Sequence, residues 1–181
     1  MNILIISDIH GSHERLRDVL NTPYPYDMVV LVGDNLYHGP RNPILEDYNP
    51  QKVADQLNGL SVPVLAVRGN CDAEVDQMLL NFSMMQDYTV TNLNNITTYI
   101  THGHLLNPVD DGPKKRSRLF ISGHTHIPTM NDVDGVMLFN PGSIALPKEG
   151  HPNTYGYLSG TTLTTFTLKH EVYMTSSLSY E

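Results

Sequence analysis

Short apolar runs alternate with helical patterns through the first half of the chain. Asn2 to Ser7, Met28 to Val32 and Val62 to Val67 are dense in Ile, Val and Leu with little alternation, the pattern of strands buried on both faces. Between them, apolar residues recur at helical spacing. A first helix starts near Ser12 as N-cap, carries Glu14 in its first turn, and places Leu16, Val19 and Leu20 on one face. A second has Asn49 as cap and Pro50 at its first position, with Val53, Leu57 and Leu60 turned inward. A third follows Asp72 and is expected to bury Val75, Met78 and Leu79. Strands alternating with helices predict a mostly parallel sheet covered by helices.

From about Tyr88 the pattern changes to β-branched and aromatic runs. Tyr88 to Thr91, Ile96 to Thr101, Leu119 to Ser122, Val136 to Phe139, Thr154 to Leu158, Thr161 to Leu168 and Val172 to Thr175 each suit a strand. Asn92-Leu93-Asn94-Asn95 and Ser159-Gly160 are turn signals, while Pro108 to Ser117 is polar and reads as a loop. No internal repeat, low-complexity tract or linker divides the chain, so residues 1–181 are expected to form one α/β domain.

Composition narrows what such a domain does. At 181 residues and 40% hydrophobic content the chain can fill one core and is short for two. One cysteine excludes an intrachain disulfide framework, and no apolar run approaches the roughly 20 residues that a membrane span needs. Met1 to Ile6 lacks a basic region ahead of its apolar run, which fits a first strand better than a signal peptide and leads to the expectation of a cytoplasmic protein with no membrane partner. The net charge is -8, and no Lys/Arg block exceeds Lys114-Lys115-Arg116, which argues against extended nucleic acid as a partner. A small ligand fits better, and a homo-oligomer is compatible with all of this.

Five segments share a further pattern: an apolar strand runs into a glycine with a potential metal ligand beside it. They are Ile5-Ile6-Ser7-Asp8-Ile9-His10-Gly11, Leu31-Val32-Gly33-Asp34, Ala66-Val67-Arg68-Gly69-Asn70, Tyr99-Ile100-Thr101-His102-Gly103 and Phe120-Ile121-Ser122-Gly123-His124-Thr125-His126. Any one of them alone is a polar residue capping a strand end. Together they converge, because ligands of open α/β sheets bind at the carboxyl ends of the strands. In extended backbone His124 and His126 would share a face and aim two imidazoles at one region. Asp8, His10, Asp34, Asn70, His102, His124 and His126 are too many donors for one ion with an open catalytic position, but suit two ions sharing a carboxylate. Mixed oxygen and nitrogen donors without thiolate favour Mn, Fe, Ni or Zn over Ca or Mg. Spacing alone does not choose His102 over His104.

Asp8-Ile9-His10, Gly33-Asp34, Gly69-Asn70, His102 and Gly123-His124-Thr125-His126 resemble, in order and spacing, the signature of calcineurin-like metallophosphoesterases. His38-Gly39-Pro40-Arg41-Asn42, the stretch from Arg68 to Leu80, and Phe139-Asn140-Pro141-Gly142-Ser143 resemble the small bacterial YfcE-type phosphodiesterases. The similarity is weakest at Asn107 to Ser117 and after about Leu158. It implies a two-sheet β-sandwich flanked by helices, with a dimetal site at one sheet edge. It also implies that Asp8, His10, Asp34 and His126 hold one divalent ion and Asp34, Asn70, His102 and His124 the other, Asp34 bridging. Manganese comes first for both ions, with Ni, Fe or Zn as alternatives.

The implied reaction is hydrolysis of a small or exposed phosphodiester, with hydroxide generated at the metal pair attacking phosphorus. Asn70, Cys71 and His104 are catalytic candidates. Most relatives carry histidine where this chain has Cys71, a weak hydrogen-bond donor, which bears on how the leaving group is protonated. His38 and Arg41, and the backbone of Asn140 to Ser143, are candidates for substrate contact, while His13, His151 and His170 read as ordinary surface histidines. The alternatives are a phosphomonoesterase or nucleotide hydrolase on the same site, and a non-catalytic interaction scaffold similar to a retromer subunit.

Overall fold

Three of the apolar runs become parallel neighbours in the computed structural model, which describes residues 1–105 and 117–178. The chain runs β1 (Asn2–Ile6), α1 (His13–Leu20), β2 (Met28–Leu31), α2 (Pro50–Asn58), β3 (Val64–Ala66), α3 (Glu74–Gln77), β4 (Tyr88–Leu93), β5 (Ile96–Thr101), β6 (Leu119–Ile121), β7 (Thr129–Val133), β8 (Val136–Asn140), β9 (Thr154–Ser159), β10 (Thr162–Thr167) and β11 (Val172–Ser177). Side chains alternate across β1, so Ile3 and Ile5 enter one core while Leu4 and Ile6 enter another. That double burial is why the run shows no polar alternation.

The core on one side of β1 lies under the helices, where Leu16 and Val19 of α1 and Val53, Ala54 and Leu57 of α2 meet Leu4, Ile6, Val29 and Leu31. Asn49 caps α2 as expected, its Oδ1 accepting the Lys52 N–H at 3.0 Å. Ser12 stands at the N-cap of α1, but its hydroxyl bonds Asp47 and not the helix.

The first sheet is mixed, and the expectation of a mostly parallel sheet is corrected. Its order is β11-β10-β9-β1-β2-β3, with β9, β10 and β11 all added antiparallel from the far end of the chain. The second sheet runs β4-β5-β6-β8-β7. The two stack around Ile3, Ile5, Val30, Ile100, Ile121 and Phe139, forming the sandwich. Asn94 and Asn95 close the β4–β5 hairpin with φ of 52 and 66, as a two-residue turn of this type requires. Asp134 and Gly135 do the same for β7–β8, with φ of 55 and 78. β7 was not expected, because Thr129-Met130-Asn131-Asp132-Val133 is polar and partly exposed along a sheet edge.

The third helix is also corrected. α3 is a single turn, and Val75 and Met78 are 59% and 83% exposed, with Leu79 exposed too. Polar residues face inward instead. Asp76 is buried and accepts the Ala73 N–H at 2.9 Å, and the Gln77 side chain donates to Phe82 O and accepts from Met84 N. Backbone groups of this irregular stretch need partners more than the apolar side chains need cover. Of the expected loop from Pro108 to Ser117, residues 108–116 lie outside the described residues. No helix among the described residues is long and apolar enough to cross a membrane.

Candidate metal centre

Parallel pairing fixes where the ligand-bearing segments end. β1, β2 and β3 run side by side in one sheet and β5 and β6 in the other, so the residues following them emerge at one edge. Asp8, His10, Asp34, His124 and His126 all adopt positive φ, between 48 and 67. The two histidines of Gly123-His124-Thr125-His126 are therefore not in extended backbone, and the same-face argument from the sequence is corrected. Each such residue costs of order 1–3 kcal/mol, and strain of this kind concentrates where function demands it. The strand that leads into Asp8 offsets it through side chains with no solvent exposure from Ile3 to Ile6. Glycine is required at two points of closest approach. A Cβ at Gly69 would collide with Asp34 Oδ1, and one at Gly123 with Ser7 Oγ.

Five of the expected ligands converge. His126 Nε2 lies 3.1 Å from Asp8 Oδ1 and 3.3 Å from His10 Nε2. Asp34 Oδ2 lies 3.7 Å from His10 Nε2 and 3.4 Å from His102 Nε2, while Asp34 Oδ1 turns away to accept the Cys71 N–H at 2.8 Å. One oxygen of Asp34 thus faces both His10 and His102, a placement compatible with a bridging ligand. Three rings are oriented alike by backbone carbonyls: Nδ1 donates to Tyr37 O from His10 (3.0 Å), to Val32 O from His102 (2.6 Å) and to Leu146 O from His126 (2.6 Å). Each therefore presents Nε2 inward, the arrangement found around ligating imidazoles.

These residues fit a cation. His10 and His126 point ring nitrogens at each other, and neutral rings would oppose lone pairs there. Asp8 Oδ1 and His102 Nε2 are buried without a hydrogen-bond partner among the described residues. Burial opposes charge on both, yet the histidines around Asp8 hold its carboxyl well below the usual range, and the Asp34 and Asp8 carboxylates push His102 up to about 9. The site demands positive charge, and a divalent ion supplies what a proton otherwise would.

The other expected residues divide. Asn70 and His124 line a cleft of about 670 Å³ that opens over Asp34 and His126. The His124 ring lies 5.2 Å from that of His102, and its backbone N–H donates to Asp8 Oδ2 at 3.1 Å. Asn70 Nδ2 donates to Cys71 Sγ at 3.3 Å. Cys71 lines the cleft half-buried, and burial together with the Asp34 carboxylate pushes its thiol up to about 12. His104 lies 5.4 Å ring to ring from His102, with Nδ1 buried and unpartnered among the described residues, but does not line the cleft. Arg41 lines it; His38 does not, because its ring packs against Tyr37 and Tyr48 and its Nδ1 bonds Gly39 O. Asn140 to Ser143 are buried, and their expected contact with substrate is corrected to support of the ligand loops. Ser143 Oγ donates to Asp8 O at 2.8 Å, and Asn140 Nδ2 to Gly123 O at 2.8 Å. His170 is not an ordinary surface residue either, since Nδ1 bonds the buried Tyr155 hydroxyl at 3.0 Å.

Sequence reasoning missed Asp72 and Lys148. Asp72 stands two residues after Asn70 in the motif that was read, and its buried carboxylate accepts the N–H groups of Asp34, Asn35 and Gly69 at 2.8 Å each. Lys148 lines the cleft on an exposed turn that carries no sequence signal.

Known proteins are similar to this chain in sequence and fold. The chain is 39% identical to the phosphodiesterase YfcE of Escherichia coli (strain K12) over 173 residues, 94% of each chain. The solved structure of Yfce, a phosphoesterase from E. coli, superposes with a TM-score of 0.93 at 36% identity, covering 99% of this chain and all of that one. Vacuolar Protein Sorting 29 from Cryptosporidium parvum gives a TM-score of 0.69 at 18% identity over 99% and 98% of the two chains, a likeness of fold alone. Residues 1–162 match the Calcineurin-like phosphoesterase superfamily domain, and the chain belongs to that superfamily.

Proposed function

We propose that this chain is a metal-dependent phosphodiesterase that acts on small phosphodiesters through two divalent ions. The observation that carries this reading is the convergence of Asp8, His10, Asp34, His102 and His126, inward nitrogens and orphaned oxygen included, beside an open cleft that Asp34 and His126 line. Identity to a phosphodiesterase over nearly the whole chain supports it. Asp8, His10, Asp34 and His126 would hold one ion; Asp34, Asn70, His102 and His124 would hold the other. When bound, such a pair acidifies water for in-line attack and stabilises charge developing on the phosphate oxygens.

The chain's own groups do the rest. Cys71 N–H orients the Asp34 carboxylate, and three backbone carbonyls orient the imidazoles of His10, His102 and His126. A substrate entering the cleft meets Asn70, Cys71, His124, Arg41 and Lys148. With its thiol pushed up to about 12, Cys71 is neutral near pH 7 and offers a departing alkoxide only a weak S–H donor. Esters with good leaving groups are therefore favoured. The intact donor set supports catalysis over a scaffold role, and manganese is the first metal to try. A panel of phosphodiesters, phosphomonoesters and nucleotides assayed separately with Mn, Ni, Fe and Zn tests the reading. Turnover of aryl phosphodiesters is expected; metal binding without hydrolysis of any panel member would favour the scaffold.

A further inference from the structure

The cleft differs in charge from the chain that builds it. Carboxylates outnumber Lys and Arg by 19 to 11 in the sequence, yet only two line the cleft. Asp34 belongs to the ligand cluster, and Asp72 is buried against backbone N–H groups. The exposed charged side chains of the lining are both positive, Arg41 and Lys148. Arg15, Arg17 and Arg68 pair with carboxylates, but among the described residues neither Arg41 nor Lys148 does.

The two cations are carried by two different loops beside the centre. The loop of Arg41 lies against Cys71, since a Cβ on Gly39 would come within 2.9 Å of its Sγ. The loop of Lys148 lies against His126, which donates Nδ1–H to Leu146 O. His126 groups with Asp8 and His10, whereas Cys71 groups with Asp34 and His10, so each loop borders the cluster through a different member. A phosphodiester carries one negative charge, which the ions at the centre already meet. Two more cations beside it suit charge elsewhere on the substrate, and in a cleft they raise the local concentration of anions. The planar guanidinium of Arg41 can grip two oxygens at once, while the Lys148 ammonium acts as a point charge.

Resting on the phosphodiesterase reading, we propose that Arg41 and Lys148 are anion-binding subsites beside the centre, and that the substrate is a phosphodiester bearing a further anionic group, phosphate or carboxylate, on an ester arm. The subsites act on specificity and not on the chemical step, so they change the ratio of kcat/KM between anionic and neutral arms.

The test uses two substrates with one leaving group, para-nitrophenyl ethyl phosphate and its carboxyethyl counterpart, with the metal-loaded enzyme. The anionic arm is expected to be favoured by about two- to fivefold, the scale of exposed ion pairs, and the preference should shrink as salt is raised. Arg41→Met or Lys148→Met, which keep an apolar stem, should each move the ratio toward one. Calorimetric binding of propylphosphonate and phosphonopropionate gives a readout independent of turnover, and only the carboxylated ligand should weaken in the variants. A wild-type ratio of one or less, or variants that lower both substrates in proportion, would overturn the assignment while leaving the phosphodiesterase standing. Failure to hydrolyse either substrate with any of the metals would overturn the phosphodiesterase reading and the subsites with it.

Discussion

The carboxylate of Asp72 accepts the backbone N–H of Asp34 at 2.8 Å, and through that bond the loop after β3 holds the loop after β2. Asn35 and Gly69 donate to the same carboxylate, and an Asn35 side-chain bond at 3.2 Å completes the set. Asp34 has φ of 57, a left-handed conformation uncommon outside glycine. Asp72 thus holds the backbone under the Asp34 carboxylate.

Replacing Asp72 by alanine should be costly. It orphans three buried N–H groups, and since each loss is worth about 1–3 kcal/mol, destabilisation of about 3 kcal/mol or more is expected. Asp72→Asn keeps one acceptor oxygen and should fall between. Chemical denaturation measures the first effect and metal titration the second, a weaker bound pair of ions. An alanine variant as stable as the parent, with normal metal affinity, would show that the bonds are incidental.

Metal binding should depend on pH in a defined direction. The protein's carboxylates push His102 up to about 9, so near pH 7 the ring carries a proton that a cation must displace. Affinity should therefore rise by about tenfold per pH unit for each proton released, and level off above about pH 9. Calorimetry of Mn binding in buffers of different ionisation enthalpy counts those protons. Heats that do not change with the buffer would contradict the assignment of His102.

Much of the site was legible in the sequence, for a physical reason. Metal donors are few in kind, and glycines mark where backbones must pass closely, as Gly69 does beside Asp34 and Gly123 beside Ser7. For His124 and His126 the expected extended backbone does not hold: both have positive φ, so the two rings are not placed by strand alternation. What stayed hidden depends on partners far along the chain. Nothing in the local pattern says that Asp76 and Gln77 face inward while Val75 and Met78 face solvent. Asp-Gly at 134 and 135 is a hairpin signal, but the polar, partly exposed β7 beside it lacks the apolar pattern of a strand. Asn140 and Ser143 matched a motif correctly, but only the fold shows them buried behind the ligands.

His124→Ala and His126→Ala should each lower metal content, at different positions. His126 lies among Asp8 and His10, while His124 stands over the cleft beside His102. Anomalous scattering from crystals of the two variants separates the ions. The same ion missing from both would contradict the division of ligands.

Wild-type activity should depend steeply on leaving-group pKa, because Cys71 is a neutral thiol and a poor acid. Cys71→His should flatten that dependence if an imidazole assists departure, an effect typically worth about 10²- to 10⁴-fold for general acids. Rates for aryl and alkyl diesters at saturating metal give the two slopes. An unchanged slope at normal metal content would remove position 71 from the leaving-group step.

The central claim is that two ions share Asp34, whose Oδ2 faces His10 at 3.7 Å and His102 at 3.4 Å. Elemental analysis of purified wild-type protein and Asp34→Asn, alongside phosphodiesterase activity, tests it most directly. The wild type should retain two metal ions per chain; the variant should lose affinity for both and at least about a hundredfold in rate, since an amide bridges poorly. An Asp34→Asn protein with two bound ions and full activity would contradict the account.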